Sequence, residues 1–214
     1  MNNNLKIFDS EIQMNKKAIH IIKDELKKKD EISIGFSGGK TPISFFKLLA
    51  LDEEIPWDRI NIFLVDERWD KSGGDTLKKL ITTHLISKIK IPSKNLNLID
   101  YYNSIGITRE KYAKKVLQTL KNAGDFDILF LGVGTDGHTA SIFEVEECDL
   151  EGDVIINSSP RHPHIRISLG MNIINGARRK IFLLGPEKQV LLSGKIDEKL
   201  PISKVINPEF LSFK

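Results

Sequence analysis

The sequence predicts an α/β protein, a three-layer sandwich in which helices cover both faces of a mostly parallel sheet. Two observations lead to this prediction. Short, mostly apolar segments, such as residues 60–65 and 126–131, have the composition of strands buried on both faces. They alternate with longer segments whose apolar residues recur at helical spacing. Such alternation is typical of a parallel sheet with helices on both sides.

The first strand–helix units lie in the N-terminal half. Residues 32–36 are predicted to form a strand that ends at Ser37, and a helix is predicted to begin near Thr41. Residues 60–65 are predicted to form the next strand, stopped by the charged residues 66–68. Apolar stripes predict a helix before these strands and another after them: Ile12, Ile19, Ile22 and Leu26 in the first, and Leu77, Leu80, Ile81 and Leu85 in the second.

The same pattern continues in the C-terminal half. Thr108 is predicted to cap the N-terminus of a helix, and Gly124 to cap its C-terminus. Pro186 is predicted to start a last short helix. The apolar segments predict three further strands, at residues 126–131, 165–169 and 181–184.

Composition excludes several classes of protein. Cys148 is the single cysteine, so the chain can form neither an internal disulfide nor a zinc cluster built on thiolates. The net charge of +3 is too small to indicate nucleic-acid binding. No apolar run approaches the roughly 18 residues of a membrane span. We therefore expect one domain over residues 1–214, in a reducing, cytoplasmic setting, with no nucleic acid, no membrane and no obligate protein partner.

The candidate functional residues follow the predicted strands, at the edge where parallel sheets bind ligands. The first group is Ser37-Gly38-Gly39-Lys40, which joins a strand to a helix. Glycines let an anion approach the backbone, and a helix N-terminus offers unpaired N–H groups. Phosphate binding and a simple tight turn are both compatible with this loop.

The second group, Asp66-Glu67-Arg68, follows the strand at residues 60–65. Two carboxylates and a guanidinium suit acid–base chemistry or anion binding. A solvated turn with a local ion pair is the alternative.

The third group is the glycine-rich segment that follows the strand at residues 126–131. It contains Gly134, Asp136 and His138, and we expect His138 to lie at the start of a short helix. An imidazole there can act as a general base near neutral pH. The alternative is a glycine-rich turn with an exposed histidine.

Two more cations lie at or after later strands. Arg166 lies within an apolar strand, where an inward-facing guanidinium needs an anionic partner. An exposed strand face is the alternative. Lys188 lies in the first turn of a predicted helix, where it opposes the helix dipole unless an anion lies between. His162 and His164 are a close histidine pair without an evident third ligand, so no metal site is predicted.

Together these segments resemble the 6-phosphogluconolactonases, within the wider group that includes glucosamine-6-phosphate isomerase/deaminase. The resemblance extends from about Ile32 to Lys195, and the Asp-Gly-His-Thr-Ala-Ser run is its most specific part. The motifs that carry it are Ser37-Gly38-Gly39-Lys40-Thr41-Pro42, Phe63-Leu64-Val65-Asp66-Glu67-Arg68 and Leu131-Gly132-Val133-Gly134-Thr135-Asp136-Gly137-His138-Thr139-Ala140-Ser141-Ile142-Phe143.

The resemblance implies a Rossmann-like sheet and the hydrolysis of 6-phospho-D-glucono-1,5-lactone, in the oxidative pentose phosphate or Entner–Doudoroff pathway, without a metal or an organic cofactor. It makes His138 the general base, with Asp66 and Arg68 beside it in the catalytic pocket. The other implied residues bind the sugar phosphate: Ser37, Gly38, Gly39, Lys40, Gly134, Asp136, Arg166 and Lys188.

The chain departs from the family pattern at three places. The family usually has a longer loop, ending in Ser-Asn, where this chain has residues 69–76. It usually has proline where this chain has Glu144, and Ser-Pro-Lys-Pro-Pro where this chain has Ser-Pro-Arg-His-Pro at residues 159–163. Two other functions stay open, a glucosamine-6-phosphate deaminase or isomerase, in which a tyrosine typically replaces Arg68, and a non-catalytic sugar-phosphate sensor.

Overall fold

The computed structural model describes residues 4–70, 72, 74 and 76–214. The loop at residues 69–76, which departs from the family pattern, thus lies partly outside the described residues. The α-helices are α1 (Glu11–Leu26), α2 (Thr41–Ala50), α3 (Leu77–His84), α4 (Ile105–Ala123) and α5 (Met171–Gly176). The strands are β1 (Leu5–Phe8), β2 (Ile32–Phe36), β3 (Ile60–Leu64), β4 (Asp66–Arg68), β5 (Leu96–Asn97), β6 (Ile128–Leu131), β7 (Val154–Ser159), β8 (His162–Leu169), β9 (Arg179–Leu184) and β10 (Glu209–Phe213).

Seven strands form one sheet in the order β1-β10-β9-β6-β2-β3-β5, and every pair in it is parallel. At its centre, Ile34 of β2 lies opposite Ile62 of β3 on one side and Ile128 of β6 on the other. Helix α2 packs against both α1 and α3, while α4 contacts β2, β5 and β7. The predicted α/β class with a mostly parallel sheet is confirmed.

A second, antiparallel sheet has the order β4-β8-β7. Residues 66–68 were expected to be a turn that stops a strand, but they form β4 in this sheet. Arg166 likewise lies on an antiparallel strand, because β8 supplies the backbone partners of both β4 and β7. The chain passes from the large sheet to the small one at Val65, whose carbonyl accepts from the N–H of Leu169 at 2.8 Å.

Two predictions about helices are wrong. Helix α4 begins at Ile105, and its cap is Ser104, whose hydroxyl accepts from the N–H of Ile107 at 3.2 Å. Thr108 lies inside the helix, and its hydroxyl instead accepts from the N–H of Tyr102. In α1, Ile12 is 61% exposed rather than part of the buried face.

The predicted helix end at Gly124 is confirmed. This glycine has a φ of +83°, and its N–H donates to the carbonyl of Leu120 at 2.7 Å. A positive φ is the conformation that favours glycine at a helix C-terminus. None of the helices within the described ranges is both long enough and apolar enough to cross a membrane.

An aromatic cluster supports the loops that follow β2 and β6. Phe36, the last residue of β2, stacks on Phe130 of β6 with ring centroids 5.5 Å apart. Phe45 and Phe46 of α2 pack against Phe36 at 6.3 and 5.3 Å. Aromatic pairs of this kind add about 0.5–1.5 kcal/mol each beyond simple burial. The start of α2 is therefore fixed relative to the ends of the two central strands.

Candidate active site

A cleft of about 520 Å³ opens where the loops after β2, β6 and β9 meet the small sheet. Ten of the eleven predicted site residues line this cleft, and the eleventh, Asp136, is hydrogen-bonded to one of them, His138. The ten are Ser37, Gly38, Gly39, Lys40, Asp66, Arg68, Gly134, His138, Arg166 and Lys188.

The imidazole of His138 is held by a carboxylate. Its Nδ1 lies 2.6 Å from Oδ1 of Asp136. Burial alone would raise the pKa of Asp136, but the hydrogen bond and charge of His138 outweigh burial and keep this pKa below its ordinary value. The carboxylate is therefore ionised at neutral pH and can only accept, so Nδ1 carries the proton. In the neutral imidazole, the other ring nitrogen, Nε2, then has the lone pair that a general base requires.

Gly134 makes this close approach possible. A Cβ at position 134 would lie 2.1 Å from Nδ1 of His138 and 2.4 Å from Oδ1 of Asp136. The N–H of Gly134 also donates to the carbonyl of His138 at 2.8 Å, which closes the loop. The lack of a side chain at Gly134 therefore allows Asp136 and His138 to approach within hydrogen-bonding distance.

The prediction that His138 starts a short helix is wrong. Thr139 instead forms isolated antiparallel bridges with Val133 and with Ile142. The Thr139 hydroxyl donates to the carbonyl of Gly132 at 2.9 Å. Ala140 has a φ of +52°, which is unusual for a residue with a side chain. His138 therefore lies in a tight turn that hydrogen bonds hold in place at both ends.

The loop after β2 has unsatisfied hydrogen-bonding groups. Lys40 stands at the N-cap of α2, and its side chain makes no capping hydrogen bond to the first turn. The hydroxyl of Ser37 is buried without a hydrogen-bond partner. Gly39 has a φ of +113°. The positive end of the α2 dipole, next to this lysine and this serine, suits an anion.

Asp66 and Arg166 lie on adjacent strands of the small sheet. Oδ2 of Asp66 accepts a 2.7 Å hydrogen bond from the hydroxyl of Ser141, and Nη1 of Arg166 lies 3.9 Å from the same oxygen. Arg166 is only 9% exposed. The expectation that this arginine faces inward toward an anionic partner is met by Asp66.

Arg68 and Arg166 lie directly opposite each other in the β4–β8 register. Opposed residues in an antiparallel pair point to the same face, and like charges there repel. Both line the cleft, as does Lys188 from the 3₁₀ helix Pro186–Leu192, which confirms the predicted short helix at Pro186. An anion bound between these cations would relieve their repulsion.

Glu67 has a structural role that the sequence did not suggest. Its carboxylate accepts from the N–H groups of Arg68, Leu77 and Lys78 at 2.7–2.8 Å. It therefore caps the N-terminus of α3 and ties that helix to β4. Burial raises the pKa of the Glu67 carboxyl to about 7, against the opposing effect of these donors.

His162 is the cleft residue that sequence reasoning missed. Its ring stacks on Phe143 with centroids 4.8 Å apart, and it lies 5.0 Å from the ring of His138. Nε2 of His162 is 3.8 Å from Oδ2 of Asp136. The reasoning that His162 has no third ligand nearby is wrong, because the turn after β6 brings Asp136 and His138 to it. The family usually has proline at this position, so the histidine found there in this chain was the signal available in the sequence.

The sequence profile of one family, the glucosamine-6-phosphate isomerases/6-phosphogluconolactonase, matches residues 9–210. The 6-phosphogluconolactonase of Thermotoga maritima is 35% identical over 167 residues, which cover 76% of this chain and 74% of that protein. This chain belongs to that family. The resemblance inferred from the motifs is confirmed over nearly the whole chain.

Solved structures of the family have the same fold. The crystal structure of 6-phosphogluconolactonase from Thermotoga maritima superposes with a TM-score of 0.90 at 28% identity, and covers 98% of this chain and 99% of that one. A monomeric glucosamine-6-phosphate deaminase superposes with a TM-score of 0.79 at 17% identity, over 99% and 97% of the two chains. The second likeness, at so low an identity, shows a shared fold alone.

Proposed function

We propose that the chain hydrolyses 6-phospho-D-glucono-1,5-lactone to 6-phospho-D-gluconate. The observation that carries this proposal is the His138–Asp136 pair, which presents a base to a cleft also lined by Lys40, Arg68 and Lys188. A base opposite several cations suits a phosphorylated substrate whose reacting group is an ester. Membership of the family and the likeness to the Thermotoga maritima lactonase support the same reaction.

In the proposed mechanism, Nε2 of His138 takes a proton from water as that water attacks the lactone carbonyl. A positioned general base contributes about 10²–10⁴-fold to such a step. The negative charge that develops on the carbonyl oxygen is stabilised by Arg68 or by N–H groups of the glycine-rich turn, each donor contributing roughly 3 kcal/mol. Asp136 keeps the proton on Nδ1 and stabilises the imidazolium that forms.

The phosphate is proposed to bind at the other end of the cleft. Ser37, Gly38, Gly39 and Lys40 lie at the N-terminus of α2, the positive end of the helix dipole, and Arg166 and Lys188 add positive charge. Binding the non-reacting phosphate fixes the lactone carbon relative to the base. Gly134 lines the cleft, and its lack of a side chain leaves room for the sugar.

We also propose that residues 1–214 act as a single domain in the cytoplasm, without nucleic acid, membrane or obligate protein partner. One continuous hydrophobic core joins residues from all parts of the described chain and supports the single domain. The pentose phosphate pathway is the proposed setting of the reaction.

The experiment that tests the proposal is to generate the lactone in place and follow its disappearance with and without the protein. Faster decay with the protein supports the lactonase. Glucosamine-6-phosphate, offered in a parallel assay, is the control for the deaminase alternative. Deamination without lactone hydrolysis would overturn the proposal in favour of that alternative, and neither activity would favour a sensor.

A further inference from the structure

Three metal-binding side chains meet at one edge of the cleft. They are Asp136, His138 and His162, and one ligand atom from each lies within 4.8 Å of the other two. His162 reaches the group from the start of β8, whereas Asp136 and His138 come from the turn after β6. The site thus joins two separate parts of the fold.

The nitrogen of His162 that faces this group has no hydrogen bond. Nε2 is buried and without a hydrogen-bond partner, although it lies 3.8 Å from Oδ2 of Asp136. Stacking on Phe143, with 26° between the two rings, fixes the direction in which it points. A buried polar atom without a partner is costly, and a ligand that binds it removes that cost.

The spacing suits an ion that prefers imidazole. A tetrahedral Zn²⁺ with bonds of about 2.0–2.1 Å places its ligand atoms roughly 3.3 Å apart. The distance of 2.6 Å from Oδ1 of Asp136 to His138 and that of 3.8 Å from Oδ2 of Asp136 to His162 lie on either side of that value. The three side chains are 21–26% exposed, so an ion can enter and keep water or substrate in its open position.

We propose that Asp136, His138 and His162 form a binding site for a divalent transition-metal ion of the Zn²⁺ type, and that the bound ion inhibits hydrolysis. Mg²⁺ is not expected to bind, because it prefers oxygen ligands in an octahedral arrangement. The inhibition rests on the proposed lactonase function, whereas the binding does not.

Inhibition follows from the tautomer of His138. Without metal, Nδ1 carries the proton and donates to Asp136, and Nε2 is the base. When the ion takes the lone pair of Nδ1, the proton of the neutral ring resides on Nε2 instead. A protonated Nε2 cannot accept a proton from the attacking water. The ion therefore prevents His138 from acting as a base, and it does not compete with the substrate phosphate for its binding site.

The test is a calorimetric titration of Zn²⁺ into the chelator-stripped, desalted protein. We expect one ion per chain at this site, an affinity at least about tenfold weaker in His162→Ala, and no binding of Mg²⁺. His162→Phe keeps a ring beside Phe143 but removes both donor nitrogens, and it should lose affinity equally. The matched control is His20→Ala, which removes an imidazole that lies 3.2 Å from a carboxylate, that of Asp24, and should keep the affinity. Circular dichroism checks the fold of each variant.

Wild-type affinity in both folded His162 variants, loss of affinity in His20→Ala, or no Zn²⁺ binding by the wild type would each overturn the proposed site. Lactone hydrolysis is then compared with and without Zn²⁺ within each protein. Zn²⁺ should slow the wild type and have at least about tenfold less effect on His162→Ala. Binding without inhibition would overturn the inhibitory role. A wild type that binds Zn²⁺ but never hydrolyses the lactone would instead refute the proposed function and leave the metal site standing.

Discussion

The hydroxyl of Ser141 donates a 2.7 Å hydrogen bond to Oδ2 of Asp66, and both side chains are buried. This bond links the turn that carries His138 to the strand that carries Arg68. Asp136, not Asp66, is the carboxylate hydrogen-bonded to His138, so orienting the attacking water is the role that we propose for Asp66.

Removing this link should destabilise the protein. In Ser141→Ala, we expect the free energy of unfolding to fall by about 1.5–3 kcal/mol, because a buried carboxylate loses a hydrogen-bond donor. Urea denaturation measures this loss. Ser158→Ala is the matched control, since Ser158 is exposed, and it should change stability by less than about 0.5 kcal/mol. Equal stability of the two variants would contradict a role for the Ser141–Asp66 bond.

Asp136→Asn should impair catalysis while the protein stays folded. An amide can donate to Nδ1, which would move the ring proton to Nε2, and it no longer stabilises the imidazolium. We expect kcat to fall by about 10²–10⁴-fold, with a much smaller change in KM. Steady-state kinetics on the lactone give both values. Asp24→Asn, which alters the surface pair with His20, should leave both unchanged. A normal kcat in Asp136→Asn would remove Asp136 from the mechanism.

Arg166→Ala and Lys188→Ala should separate phosphate binding from ester hydrolysis. Each variant loses a charge-assisted contact worth roughly 1.5–3 kcal/mol with the phosphorylated lactone. With plain glucono-1,5-lactone, which has no phosphate, the variant and the wild type should have similar kcat/KM. Comparing kcat/KM on the two lactones checks this. Equal losses on both substrates would show that these residues do not bind the phosphate.

Glu67 should make stability depend on pH. Its pKa is raised by burial to about 7 in the folded chain, against an ordinary value of 4.5. Between these pH values the folded state holds a proton that the unfolded state has released. This contribution to stability is therefore complete below pH 4.5 and is lost as the pH rises toward 7.

The measurement is urea denaturation of the wild type and Glu67→Gln across this pH range. The side chain of the variant does not titrate. The wild type should therefore lose stability relative to the variant by up to about 3 kcal/mol as the pH rises from 4.5 to 7. If the difference in unfolding free energy between the two proteins stays constant with pH, Glu67 does not titrate in this range.

The central sheet could be predicted from the sequence because its inner strands are mostly apolar. Residues 32–36 are an example, and they form β2 as expected. The edge strand β1, at Leu5–Phe8, carries no such signal, since its two middle residues are exposed. β4 is only three residues long and charged, so its pairing with β8 depends on a partner about 100 residues away.

Much of the candidate site could also be predicted, because loops that follow neighbouring parallel strands meet at one edge. Contacts between side chains from distant segments could not be predicted. Whether Asp66 or Asp136 bonds to His138 depends on the tight turn after β6, which was expected to be a helix. The approach of His162 to the same turn depends on the β7–β8 hairpin, whose register no local pattern determines.

The most direct test of the proposed reaction is the rate of lactone hydrolysis by His138→Ala, corrected for spontaneous hydrolysis. We predict a fall of about 10²–10⁴-fold from the wild-type rate, with an unchanged circular dichroism spectrum, because His138 is the proposed base. His84→Ala, at the end of α3, serves as the control and should keep the wild-type rate. A folded His138→Ala variant that hydrolyses the lactone within about twofold of the wild-type rate, far less than a positioned general base contributes, would contradict the account.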